Sequence, residues 1–340
     1  MRALLPAVPI LLTLMVSGCT IPGIPCIPGL TCGQTVEETH DVIVIESLQA
    51  LPSNVPPGGT IKLIAVISNV ADIDAEIKDV PVYVELYDYC SGLFIKPADA
   101  QRKIENLLRG EKRQIEWTLQ SLPREQVPVK TECTLKIRAK YQYSTKSITT
   151  LHLIDYAEMQ RRISEGTYKE IGSYTSVGYG PIKPYITVEG TQPIPVENNN
   201  INTVLSLQIK NKGNGFLSGP FCQDGKSYCG GCSTDTQNKE DPGPIITRDQ
   251  VKITSAGDSI SGSIAQKLST ALNDFFKETC GSSTKYIKLI KKESTPMPCT
   301  IAGMDIGNVP VESTKTIQAE IENYWYEFRK EIKVTVEPKF

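Results

Sequence analysis

Pro81-Val82-Tyr83-Val84-Glu85-Leu86-Tyr87-Asp88-Tyr89-Cys90 is the stretch that decides the fold class. Apolar and polar residues alternate with a period of two. Val82, Val84, Leu86 and Cys90 therefore share one face, and Tyr83, Glu85, Tyr87 and Tyr89 share the other, as in a strand buried on one side. The neighbouring segments read alike: 42–45, 60–69, 114–119, 133–141 and 148–154 are short β-branched runs separated by Pro, Gly and Asn. Strands at this spacing without helical crossovers predict an all-β fold, an antiparallel β-sandwich over 40–155. Cys133 shares its parity with Leu135, Ile137 and Ala139, so it and Cys90 both face the core, where a disulfide can join two strands.

The pattern starts again downstream. Residues 185–188 and 204–215 open a second module, 185–340. Its end parallels that of the first: Ile137, Ala139, Tyr141 and Tyr143 before 148–154 match Ile317, Ala319, Ile321 and Tyr324 before 332–336. An offset of about 180 residues is a domain duplication rather than a solenoid. The expectation is two tandem immunoglobulin-like sandwiches joined by a linker, 156–184, that begins with a short helix closed near Gly166. An insertion at about 215–283 carries a helix over 263–280, with Ile264, Leu268, Ala271, Leu272, Phe275 and Phe276 on one apolar stripe.

The N-terminus reads as an address. One arginine precedes an apolar run over 3–16, too short for a comfortable transmembrane helix and interrupted by Pro6 and Pro9, so residues 1–18 read as a secretory signal. The run ends in Val16-Ser17-Gly18-Cys19, which resembles the lipobox of secreted lipoproteins. That resemblance implies cleavage before Cys19 and a lipid on its thiol, with the membrane as partner. Residues 19–39 are a Pro/Gly/Cys-rich spacer in which Cys26 and Cys32 suit a local disulfide.

Pro57-Gly58 followed by an alternating strand ending at Asn69, together with Asn211-Lys212-Gly213-Asn214-Gly215 in the second module, resembles the cell-adhesion-related, CARDB-type immunoglobulin-like domain of prokaryotic surface proteins. The resemblance implies display at the cell surface and binding rather than a reaction.

The 340 residues carry 36 basic and 38 acidic side chains and a net charge of −2, without the basic footprint of a nucleic-acid binder. Ten cysteines point to an oxidising compartment. The two histidines, His40 and His152, leave most hydrolytic mechanisms without a base. Gly257-Asp258-Ser259 resembles a serine nucleophile motif, yet both histidines lie upstream in a spacer and a strand, and the segment reads better as a turn and helix cap. The expectation is a non-enzyme without cofactor.

Three sets of residues remain as candidate sites. Cys222, Cys229 and Cys232 form a glycine-rich cluster that with Cys280 reads as disulfides, a structural zinc site or a redox pair. Cys280 and Cys299 are a further disulfide candidate. Tyr83, Tyr87 and Tyr89, with the Tyr324-Trp325-Tyr326 run as a second group, offer flat rings with polar tips suited to a surface protein or glycan ligand, or else pack on the sheet or between modules. The functional expectation is adhesion, ligand capture or envelope organisation, with a filament or envelope-layer subunit and a cysteine-cluster protein as alternatives.

Overall fold

A computed structural model describes residues 40–71, 80–218, 245–255, 259–273, 275, 277–278, 285–306, 309 and 311–338. All of them fall within one compact unit, Thr39–Phe340. Most of the described residues are in strands. β1 (Ile43–Leu51), β2 (Asn54–Val55), β3 (Thr60–Asn69), β4 (Val80–Asp88), β5 (Gln101–Leu107) and β6 (Lys112–Gln120) lead into β7 (Thr131–Asp155), which is 25 residues long. After helix α1 (Tyr156–Ser164) come β8 (Tyr174–Val177), β9 (Ile182–Glu189), β10 (Ile194–Glu197), β11 (Asn200–Asn211) and β12 (Phe216–Ser218). Then follow β13 (Ile245–Thr247), β14 (Val251–Ser255), helix α2 (Ser259–Leu272), β15 (Lys277–Glu278), β16 (Lys285–Lys288), β17 (Met297–Asp305) and a second 25-residue strand, β18 (Glu312–Val336).

β7 and β18 pair antiparallel along their whole length, from Thr131 opposite Val336 to Ile154 opposite Glu312. The runs 133–141 and 148–154 are therefore parts of one strand. Within this unit the other strands are arranged along the ribbon. Around its 131–143 end lie β4 and β5, alongside the separate sheet β1-β3-β6. Around its other end lie β8 and β14, and β10 passes the sheet on to β11, β9 and β17. Residues 324–336 of β18 thus border β4's part of the sheet, and residues 312–321 border β14.

The core follows parity. Val82, Val84 and Leu86 of β4, Leu135, Ile137, Ala139 and Tyr141 of β7, and Ile61, Leu63, Ala65 and Ile67 of β3 are buried together with Trp117 of β6, which is 1% exposed. Each such large apolar side chain contributes about 1.5–3 kcal/mol of burial. Cys90 and Cys133 are bonded, with Cα atoms 6.4 Å apart and a sequence separation of 43. The chain-entropy model assigns a loop of that size about 4 kcal/mol.

β18 departs from simple alternation. Ile317, Ala319 and Ile321 are buried, and then Tyr324 and Tyr326 are buried instead of the next odd residues. Between them a bulge sets Glu322 and Asn323 against the single residue Ser144, and Asn323 takes φ 50°, a conformation asparagine tolerates. One extra residue exchanges the two faces of the strand.

α1 is capped at both ends. Asp155 accepts from the Glu158 amide at 3.0 Å, and after Glu165 the chain turns at Gly166 with φ 68°. The Gly166 and Thr167 amides return to the carbonyls of Ile163 and Arg162, the pairing of a Schellman stop. α2 begins at Ser259, four residues before the start expected from its apolar stripe, and Ile264, Ala265, Leu268 and Leu272 are buried apolar residues on it. Phe275, expected on that stripe, lies beyond the helix and is exposed.

Candidate functional site

The bulge in β18 creates the site. Because it exchanges the faces, Trp325, Glu327 and Arg329 project from the outer side of the sheet, beside the outward residues of β7 and β4. Register then sets side chains in rows across β5, β4, β7, β18 and β12. One row runs Lys103, Tyr83, Lys140, Glu327, Phe216, and the next runs Gln101, Glu85, Arg138, Arg329. A third holds Gln142, Trp325 and Ser218.

Tyr83 and Trp325 stand two strands apart and meet over β7, ring centroids 5.7 Å apart at 53°. Lys140, in register between Tyr83 and Glu327, is 5% exposed, and its Nζ lies 3.4 Å from Glu327 Oε2. Glu327 is 1% exposed and takes further bonds from Ser218 Oγ at 3.0 Å and from the Arg329 guanidinium. Arg138 stands 4.0 Å from Glu327 and binds Glu85 through Nε and Nη2, at 2.8 and 2.7 Å. The facing pair Arg138 and Arg329 would repel, and each is quenched by its own carboxylate. Burial pushes the Glu327 carboxyl up, but Lys140, Arg329 and Arg138 together outweigh it and hold the group below the ordinary glutamate range.

Cations also cover the rings. Lys103 lies 5.7 Å from the Tyr83 centroid, Arg138 5.2 Å from Tyr87 and Arg329 5.1 Å from Phe216, which is 52% exposed. Tyr83, Tyr87 and Tyr89 are each half-buried. Tyr83 and Tyr87 belong to this lattice, whereas Tyr89 packs against the edge of the core near Cys90 and Cys133. Of the 324–326 run, only Trp325 reaches the outer face. Tyr324 and Tyr326 are fully buried on the inner one.

On that inner face lies a second polar cluster. Tyr326 Oη donates to Asn211 Oδ1 at 2.9 Å, and the Asn211 amide closes a turn by accepting from Gly213 N and donating to the Gly215 carbonyl, both at 3.0 Å. Asn214 N donates to both oxygens of Asp41, at 3.1 and 3.0 Å, and Tyr179 Oη donates to the Asp41 carbonyl at 2.7 Å. A Cβ on Gly213 would lie 2.3 Å from Asp41 Oδ1 and 2.4 Å from Tyr326 Oη, so only glycine fits. Asp41 is 2% exposed, and burial raises its carboxyl above the ordinary range against the opposing pull of the Asn214 and Gly215 amides. Asn69 repeats this turn in the other half: it accepts from Ala71 N at 3.1 Å and donates to the Leu107 carbonyl at 2.9 Å. Both asparagines end a long strand in an Asx turn.

Cys299 is a free, buried thiol on β17, with Sγ 3.8 Å from the Lys267 carbonyl of α2. Burial raises its pKa. Cys19, Cys26, Cys32, Cys222, Cys229, Cys232 and Cys280 lie outside the described residues, as does the leader 1–18. Among the described residues no group of three or more His, Cys, Asp or Glu is placed to hold a metal ion, and no helix is long and apolar enough to cross a membrane.

Sequence reading missed Glu327, Lys140, Arg138, Arg329, Phe216 and Ser218. Lys136, Arg138 and Lys140 alternate with Leu135, Ile137 and Ala139, so their outward parity was legible. An outward charge on a strand is ordinary, however, and only the pairing of β7 with β18 gathers Arg138 and Lys140, with Arg329, around one carboxylate, while Lys136 pairs with Asp88. No protein-family model matches the chain, and comparison with curated proteins gives no match.

Proposed function

We propose that this is an exported surface protein without a catalytic role, lipid-anchored through Cys19, built from two immunoglobulin-like sandwiches akin to the CARDB type. It holds its ligand on the outer face of β5, β4, β7, β18 and β12. The observation that carries this reading is the lattice of Tyr83, Trp325, Tyr87 and Phe216, fixed by Lys103, Arg138 and Arg329 on a sheet. Rings already immobilised lose little conformational freedom on binding, which favours recognition. The matching Asx turns at Asn69 and Asn211 support a duplicated sandwich.

Strand edges weigh against a filament built by edge pairing. β17 carries Pro298, β9 carries Pro184, and β5 and β6 expose Arg102, Lys103, Lys112 and Arg113.

Two measurements test the reading. Intact mass of the membrane-extracted protein should match a chain beginning at Cys19 plus lipid; an unprocessed Met1 chain recovered from cytosol removes the export part. Bead-bound full chain should be retained on envelope sheets of the producing cells, and Trp325→Ala should abolish retention. Equal retention of that variant removes the face as the ligand site.

A further inference from the structure

We infer that the ligand of this face is a neutral polysaccharide; the inference rests on the binding face proposed above. Three features of the face select that chemistry. The first is charge. Lys103 is paired with Glu105 at 2.8 Å, Lys136 with Asp88 at 3.1 Å, Arg138 with Glu85 at 2.7 Å, and Lys140 and Arg329 share Glu327. Glu331 faces Lys136 in register and evens the balance. A polyanion gains from unpaired cations and the release of its counterions, and here each cation already has a carboxylate.

The second feature is shape. Tyr83 on β4 and Phe216 on β12 are three strand spacings apart, about 14 Å, with Trp325 between them in the rows. Rings spaced across neighbouring strands suit a chain of rigid rings whose C–H faces are apolar while their edges carry hydroxyls. A folded protein partner would need a broader dry centre than this row supplies.

The third is the surround. Beside the rings stand planar groups with donors and acceptors to spare: the exposed Gln142 amide in register with Trp325, the Glu85 carboxylate, and the Arg138 and Arg329 guanidiniums. Sugar hydroxyls both donate and accept, so they can join such pairs without stripping a charge of its partner.

The chain has two tryptophans, and Trp117 is buried in the core away from this face, so a change in intrinsic emission on binding here reports Trp325 and is absent in Trp325→Phe. Full-length protein is titrated with soluble neutral glucan, mannan and chitin oligosaccharides, and with polygalacturonate as the anionic arm. The expected result is a saturable change in emission with a neutral saccharide, little altered by added salt. Affinity should fall at least about tenfold in Phe216→Ala and in Tyr83→Ala. A response to polygalacturonate alone, lost as salt is raised, overturns the neutral class. A change that grows with protein concentration and needs no saccharide makes a second copy the occupant and overturns it equally. Silence across the neutral panel, with envelope sheets still retaining the protein through Trp325, rejects the saccharide and leaves the face standing. Silence with no Trp325-dependent retention ends both.

Discussion

Tyr326 and Glu327 are adjacent in β18, yet the polar clusters they anchor follow different rules. Inward, Tyr326 belongs to a close-packed set with Asn211, Gly213 and Asp41, in which backbone amides supply many of the donors and no atom can be added. Outward, Glu327 belongs to a lattice of side chains from β4, β7, β12 and β18, tied by charge and by cations set against rings. The inner cluster is fixed by volume and hydrogen-bond geometry, the outer by electrostatic balance. Position is therefore guarded on one face of the ribbon, and composition can vary on the other provided the charges still sum.

The largest effect should come from violating the inner rule. Gly213→Val places carbon atoms onto Asp41 and Tyr326 and should cost roughly 4 kcal/mol by urea unfolding; an unchanged midpoint would mean that the turn is not held as described. Breaking the outer rule comes next. Glu327→Gln leaves Lys140 buried beside a neutral group and should cost roughly 3 kcal/mol, and a double-mutant cycle with Lys140→Met should recover much of it. If the two losses simply add, the pair is not coupled.

Smaller changes sharpen the contrast. Tyr326→Phe removes one buried hydrogen bond and should cost about 1 kcal/mol, a value to be compared with Tyr324→Phe, which loses the 2.8 Å bond to Thr145. Trp325→Ala should cost less than about 1 kcal/mol of stability while removing retention on envelopes. A large stability loss would make the ring structural rather than functional.

The last effect is a slope. Glu327, depressed in the fold, contributes stability that is present above its unfolded value of 4.5 and is lost as pH falls through its lower folded pKa. Asp41, raised in the fold, acts in the opposite sense: stability increases as pH falls through its raised pKa toward 3.8. The acid branch of a stability–pH curve should therefore be shallower in Glu327→Gln and steeper in Asp41→Asn. Identical branches in the two variants would contradict both assignments.

Much of the fold was legible because strand parity is a local property. Val82, Val84 and Leu86 on β4 and Leu135, Ile137 and Ala139 on β7 could be assigned to the core residue by residue. The candidate site was less so. Tyr83 and Tyr87 were visible as outward rings, but their cationic neighbours come from β7 and β18, and Glu327 lies 187 positions beyond Lys140 with which it is in register. The Asn323 bulge also hides Trp325, because simple alternation cannot foresee an inserted residue with positive φ.

The sequence by itself determined an all-β chain, the facing of most strands, the core parity of Cys90 and Cys133, and the asparagine–glycine turn after β11. Each follows from alternation or from the backbone freedom of single residues. Tertiary structure alone decided that β7 and β18 form one continuous ribbon, that a single extra residue exchanges the faces of β18, and that three cations converge on Glu327. These depend on which distant strands pair and in what register, and that is fixed by the collective burial of the core rather than by any local run of residues.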